Sequence, residues 1–236
     1  MSNKIEILIL ILKIDRMQDM IKAILFDLDG VLIETEKETF TFYQNYLKEH
    51  HKITLPNSAF AFKAGKKSVD FWNAALTPEQ RALVDTKALT LLKRKCFIEN
   101  PERFIKKVAG GEALLELLQR HGYKLALGSQ NEAEMIKSAL RWLDVAAYFQ
   151  AVLTISDIKQ LKPSPEIYLL AAHKLKVEPG DCVVIEDSKD GIEAAKNANM
   201  KCIAIEHPYT PPGDLDQADV KIQHLSEVTI PLVRSL

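Results

Sequence analysis

Residues 22–32 read Lys-Ala-Ile-Leu-Phe-Asp-Leu-Asp-Gly-Val-Leu, an apolar run that stops at two acids one residue apart, with a glycine behind them. The run has no polar alternation, so it predicts a strand buried on both faces. Such strands belong to sheets covered by helices, where ligands bind beyond the carboxyl ends of the strands. Asp27 and Asp29 fall at that edge. Bringing two carboxylates together raises the free energy unless a cation or a proton offsets their charge. A strand followed by a plain Asp-Gly turn would use the same letters, so the rest of the chain has to decide.

Between residues 34 and 108 the pattern is helical. Phe40, Tyr43, Tyr46 and Leu47 recur at helical spacing before Pro56-Asn57 breaks the run. Thr77-Pro78-Glu79-Gln80 places Thr at a cap and Pro in a first turn, and predicts a helix running toward Lys95. A further short helix is expected to end near Val108, and the block is expected to hold no strand. Gly65-Lys66-Lys67-Ser68 resembles a phosphate loop only superficially, because Phe60 stands where an earlier glycine is needed and no strand precedes it.

After Gly110-Gly111 the rhythm changes. Helical stretches carrying Leu114 to Leu118, Ile136 to Leu143, Ile167 to Ala171 and Ile192 to Ala195 alternate with apolar strands at 123–127, 151–155, 182–185 and 202–205. A last strand is expected near 220–222, before a terminal helix. Alternation of this kind predicts an α/β fold with a doubly wound parallel sheet. The helical block predicts a second domain at 34–108, inserted into a discontinuous core made of 20–33 and 109–236.

Composition agrees with a sizeable core: 47% of the 236 residues are hydrophobic, and 27% charged residues argue against disorder. A net charge of −1 supplies no basic field for nucleic acid. Cys96, Cys182 and Cys202 are sparse, and no Cys/His spacing suggests zinc, which fits a reducing, cytoplasmic setting. Residues 5–14 are mostly aliphatic yet too short to span a bilayer, and they lack the long uncharged core and cleavage site of a signal peptide. No membrane partner is expected. Residues 1–19 are expected to be an extension the fold does not need, with an edge strand or interaction tail as the alternative.

In a parallel sheet the strands deliver their carboxyl ends to one edge. Asp27 and Asp29 follow the first, and Ser129, Gln130 and Asn131 the second. Lys162 comes after the third, and Glu186 and Asp187 end the fourth, with Asp190 a little further on. Acids alone would suggest a metal site; the lysine and serine suggest an anion among them. The set suits phosphoryl transfer. A carboxylate can attack phosphorus to give an aspartyl phosphate, once magnesium on oxygen ligands offsets the charge of two meeting anions. Lys162 can pair with phosphoryl oxygens and Ser129 can hydrogen-bond one. Asp29 can protonate the leaving alkoxide and deprotonate the hydrolytic water.

Asp27-Leu28-Asp29-Gly30-Val31-Leu32, Ser129, Lys162-Pro163-x-Pro165 and Glu186-Asp187-Ser188-x-x-Gly191-Ile192-x-Ala194-Ala195 resemble the four ordered motifs of the haloacid dehalogenase superfamily. The resemblance spans residues 21–205 and is closest to the sugar-phosphatase and β-phosphoglucomutase-like branch. It implies a Rossmann-like core, an α-helical cap inserted after the first strand, and a magnesium-dependent aspartyl-phosphate mechanism. It also implies Asp27 as nucleophile and Asp29 as acid/base, with Ser129 and Lys162 on the phosphate and Gln130 beside them. The metal set it implies is Asp27, the backbone carbonyl of Asp29, Asp187, and Glu186 directly or through water. Three positions depart from the pattern: Glu34 stands where the family usually has Asp, Gln130 where it often has a small residue, and Thr39 where mutases of the branch have histidine.

The expected function is a magnesium-dependent phosphatase for a small phosphorylated metabolite, a sugar phosphate or a phosphoglycolate-like acid, working as a monomer or homodimer. A phosphomutase is the alternative, against which Thr39 speaks; a carbon–halogen hydrolase is another, against which Asp29 speaks. A non-enzymatic phospho-receiver would have no inserted helical block. Glu34, Lys66 and Lys67 are candidate substrate contacts of the cap, although the lysines equally suit a solvated turn. None of the six histidines is expected to hold a functional place at a strand end.

Overall fold

The apolar run after Lys22 forms β1, Ala23–Phe26, and β1 lies in the middle of the main sheet. The computed structural model describes residues 21–62 and 68–236. Residues 1–19, with the extension expected there, and the candidate substrate contacts Lys66 and Lys67 lie outside the described residues. Among those described, β1 is joined by β4 (Lys124–Gly128), β5 (Ala151–Leu153), β6 (Cys182–Glu186), β7 (Lys201–Ile205) and β8 (Val220–Ile222). The order is β5-β4-β1-β6-β7-β8, and every pairing is parallel. This is the doubly wound α/β architecture expected from the sequence.

Burial on both faces explains why the strands other than the edge strand β8 carry no polar alternation. Ile24 and Phe26 of β1 point to one side with Leu125, Leu127, Val183, Ile185 and Ile203. Ala23 and Leu25 point to the other with Ala126, Val184, Cys202 and Ala204. The first face is covered by α6 (Gly111–Arg120) and α7 (Ala133–Leu143), through Leu114, Leu115, Ile136 and Leu140. The second is covered by α8 (Glu166–Leu175) and α9 (Lys189–Asn197), through Ile167, Ala171, Ile192 and Ala195. A short α10, Ile230–Arg234, closes the first face with Val233.

The block after β1 contains α1 (Glu36–His51), α2 (Ser68–Ala75), α3 (Pro78–Leu83), α4 (Thr86–Glu99) and α5 (Pro101–Phe104). It has an apolar cluster of its own, in which Tyr43 packs on Phe71 and Trp72 and Phe40 meets Phe60 and Phe71. Two expectations are corrected here. The single helix expected from Pro78 to Lys95 is two helices. Thr77 does cap its start in a capping box, but Val84 is extended and Asp85 starts α4 by accepting from the Lys87 and Ala88 N–H groups. An Asx cap inside an apolar-periodic stretch restarts the helix without disturbing the periodicity. The block is also not strand-free: β2 (Ile33–Glu34) pairs antiparallel with β3 (Lys106–Lys107), so entry and exit of the helical segment run side by side. Among the described residues no helix is long and apolar enough to cross a membrane.

Candidate active site

Four strand ends converge on a pocket of about 680 Å³, walled by Asp27, Asp29, Gln130, Lys162 and Asp187 and, on the helical side, by Glu34, Glu36 and Asp70. Asp27 follows β1 directly, and its N–H is bound to the Ile185 carbonyl at 3.0 Å, which fixes it between the two central strands. Lys162 arrives from the segment before α8. It is only 7% exposed, and its Nζ donates to an Asp27 carboxylate oxygen, to Glu186 Oε1 at 2.7 Å and to the Gly128 carbonyl at 3.2 Å. The three donors of the ammonium are thereby placed.

Charge follows from this burial. Desolvation pushes the Asp27 carboxyl up to about 7; Lys162 opposes this, and Glu186 and Asp29 add to it. Asp187 is held well above the usual carboxylate range, by burial first and then by the neighbouring charges of Glu186, Asp27 and Asp29. Burial would lower Lys162, but Asp27 and Glu186 outweigh it and hold the ammonium above its ordinary value. Burial also works against the Glu186 charge, yet Lys162 and the donors of Ser188 and Tyr168 bring Glu186 below its usual value. The pocket therefore gathers more negative charge than its one buried lysine offsets.

Glu186 lies behind this wall, with no exposed surface. Its Oε1 takes Lys162 and the Tyr168 hydroxyl at 2.9 Å, and its Oε2 takes the N–H groups of Asp187 and Ser188 and the Ser188 hydroxyl. A cation beside Asp187 would reach Glu186 through a water or by exchange with one of these donors. Gly191 is required here, because a Cβ at that position would stand 1.7 Å from Glu186 Oε1. Ser188 accepts from the Gly191 N–H at 3.1 Å and caps α9, as its sequence position suggests.

The second acid, Asp29, is held from both sides. Thr35 Oγ1 donates to one carboxylate oxygen at 3.3 Å, and Asn131 Nδ2 donates to the other. Ser129 is buried at the end of β4; its Oγ accepts the Asn131 N–H at 3.2 Å, and it does not line the pocket. Gln130 does line it, and its Nε2 is buried without a partner among the described residues. Glu34 and Asp190 are both on the wall. Thr39 is buried in the helical block, away from the pocket lining.

Two residues at the site were not anticipated. His207 comes two residues after β7 ends, is buried, and binds the Gly30 carbonyl through Nε2 at 2.8 Å. Tyr209 stacks flat on it, with ring centroids 5.1 Å apart, and also lines the pocket. The available signal was position: His207 follows a strand just as Asp27 and Asp187 do.

The carboxylate set suits a hard divalent cation. Asp27, Asp29 and Asp187 offer oxygen donors whose combined charge Lys162 offsets only in part, which is the surroundings magnesium takes. Among the described residues, no three His, Cys, Asp or Glu side chains form a ready-made metal cluster.

Comparison with known proteins agrees with this geometry. The family model described as haloacid dehalogenase-like hydrolase matches residues 24–205. A phosphorylated carbohydrates phosphatase of Thermotoga maritima is 31% identical over 185 residues, 77% of this chain and 83% of that protein. A fructose-1-phosphate phosphatase of Escherichia coli is 27% identical over 192 residues, 78% of this chain and 95% of that protein. The crystal structure of CbbY from Rhodobacter sphaeroides in complex with phosphate superposes with a TM-score of 0.74 at 23% identity, over 92% of this chain and all of that one. The chain belongs to the haloacid dehalogenase-like hydrolases.

Proposed function

We propose that this protein is a magnesium-dependent phosphatase that hydrolyses a small phosphorylated, sugar-like metabolite through a phosphoryl group carried on Asp27. The observation that carries the reading is Asp27 at the end of the central strand, paired with Lys162 and facing Asp29 and Asp187 across one pocket. A carboxylate oxygen of Asp27 attacks phosphorus, and the bond to the ester oxygen breaks as Asp29 delivers a proton to the leaving alkoxide. Asp29 then takes a proton from water, whose oxygen attacks the same phosphorus, returning the Asp27 carboxylate and inorganic phosphate. Thr35 and Asn131 hold Asp29 in one orientation for both transfers. Lys162 stays charged throughout and offsets the phosphoryl oxygens. Magnesium would be held by Asp27, the Asp29 carbonyl and Asp187, and would supply the charge neutralisation that lets two anions meet. The helical segment 34–108 acts as a cap that closes over the ester and excludes water. The names of the two phosphatase relatives support a phosphorylated sugar as the ester.

Phosphate release from a panel of sugar, polyol and short acid phosphates, with magnesium and with chelator, tests this. Magnesium-dependent release from one group of esters is expected. No release from any ester would overturn the proposal, and isomer formed in place of free phosphate, with the matching bisphosphate present, would favour the mutase.

A further inference from the structure

Gly30 follows Asp29 in the turn that presents both acids. It adopts φ +75°, and a Cβ on it would stand 1.9 Å from Asp187 Oδ2. Its N–H is bound to the Ile33 carbonyl at 2.7 Å. Its carbonyl accepts from His207 Nε2 at 2.8 Å, and this is the one side-chain hydrogen bond to the main chain of residues 28–33 among the described residues. A carbonyl can only accept, so Nε2 carries the proton. The imidazole also stands 3.7 Å from Asp187 Oδ2 and 3.9 Å, through Nδ1, from Glu34 Oε1. Tyr209 fixes the ring plane by stacking at 8°, and Phe60 of the helical block meets the Tyr209 ring edge-on at 6.1 Å.

We infer that His207 is a positioning residue for the reaction: by donating to the Gly30 carbonyl it holds the turn that aims Asp29 and sets its distance from Asp187. The bond fixes the peptide plane that follows Gly30, while the Gly30 N–H fixes the one before it. Without the donor, the Gly30–Val31 peptide loses its one side-chain tie, and the main chain of the turn keeps its own short backbone bonds and the Val108 N–H on the Leu32 carbonyl. Misplacement of a reacting group by about 1 Å lowers rates by as much as about 100-fold without removing any reacting atom.

The inference rests on the reading of Asp27 and Asp29 as the reacting acids, and two variants separate it from that reading. His207→Phe keeps a ring for Tyr209 and removes the donor. His207→Gln removes the ring and keeps a nitrogen donor the same number of bonds from Cα. With the ester giving most phosphate in the panel, His207→Phe is expected to lower kcat at least about tenfold with KM within about threefold. Amide hydrogen exchange in residues 28–34, measured without substrate, should quicken in the same variant. His207→Gln should keep kcat within about threefold and exchange close to wild type. Wild-type kcat in His207→Phe, or an equal loss of kcat in both variants, would overturn the inference. If His207→Phe does not fold, His207→Gln decides alone: retained kcat supports the donor and lost kcat refutes it. Full turnover by Asp29→Asn would instead defeat the reading of the acid pair and leave the exchange result standing.

Discussion

Replacing Lys162 by Met keeps a stem of the same length as the lysine's apolar part and removes the ammonium with all three donors. What remains is Asp27, about 8% exposed, beside a fully buried Glu186, with no cation between them. Taking one partner out of a buried ion pair costs about 3–5 kcal/mol, because the other charge stays desolvated. In a chain of this size each kcal/mol lowers the melting temperature by about 2–4 °C, so Lys162→Met should melt about 6–20 °C below wild type at pH 8 in chelator. The pH dependence has a definite sign. Without the ammonium, both carboxyls bind protons more tightly folded than unfolded. Such groups stabilise the fold at low pH and lose that contribution as pH rises through their folded pKa. The gap between variant and wild type should therefore shrink as pH falls from 8 toward 5. Adding Glu186→Gln to Lys162→Met removes one of the two charges and should recover part of the loss. Thermal unfolding by circular dichroism across this range is sufficient. Melting within 2 °C of wild type at pH 8, or a gap that widens on acidification, would refute the buried triad as the source of the effect.

Asp27→Asn should lower phosphate release at least about 1,000-fold, as loss of a nucleophile does; because burial already opposes this carboxylate's charge, its melting temperature at pH 8 in chelator should not fall. Gly191→Ala, which elsewhere in a helix would gain up to about 1 kcal/mol, should here cost about 1–3 kcal/mol through the collision with Glu186 and abolish turnover; unchanged unfolding would show the carboxylate sits elsewhere. Burial, then Asp181 and Glu178, push the Cys182 thiol up to about 12, and burial raises Cys202 still further. Iodoacetamide at pH 8 should therefore label no more than one thiol, Cys96, in the native chain and all three after unfolding, as read by mass spectrometry.

The sheet was legible because its strands, the edge strand β8 with its exposed Lys221 aside, are apolar on both faces, a pattern that few other structures require. The pocket was legible because polar residues interrupt those runs at the same end each time: Asp27 after β1, Gln130 and Asn131 just after β4, Asp187 after β6. What stayed hidden depends on side chains meeting across the sheet. Tyr168 reads as one more core residue of α8, and nothing local shows that its hydroxyl binds Glu186. Glu186 reads as a strand-end acid of the metal set, whereas Lys162 and the start of α9 draw it under the surface. His207 sits in a proline-containing loop with no flanking motif, so only the strand-end rule, applied to β7 as well, would have found it. The break at Val84 was masked because the apolar spacing continues across it while Asp85 starts a new helix.

The place of β1 at the centre of the sheet also governs how the molecule is assembled. It is the earliest described strand to be synthesised, yet its two neighbours come roughly 100 and 160 residues later. On the ribosome, Asp27 rides on an apolar strand with at least one open edge until Glu186 has emerged. Lys162 has no second carboxylate to bind before that moment. The last long-range pairing that completes the middle of the molecule is thus the same event that completes its chemistry, and any fragment ending before Glu186 lacks both.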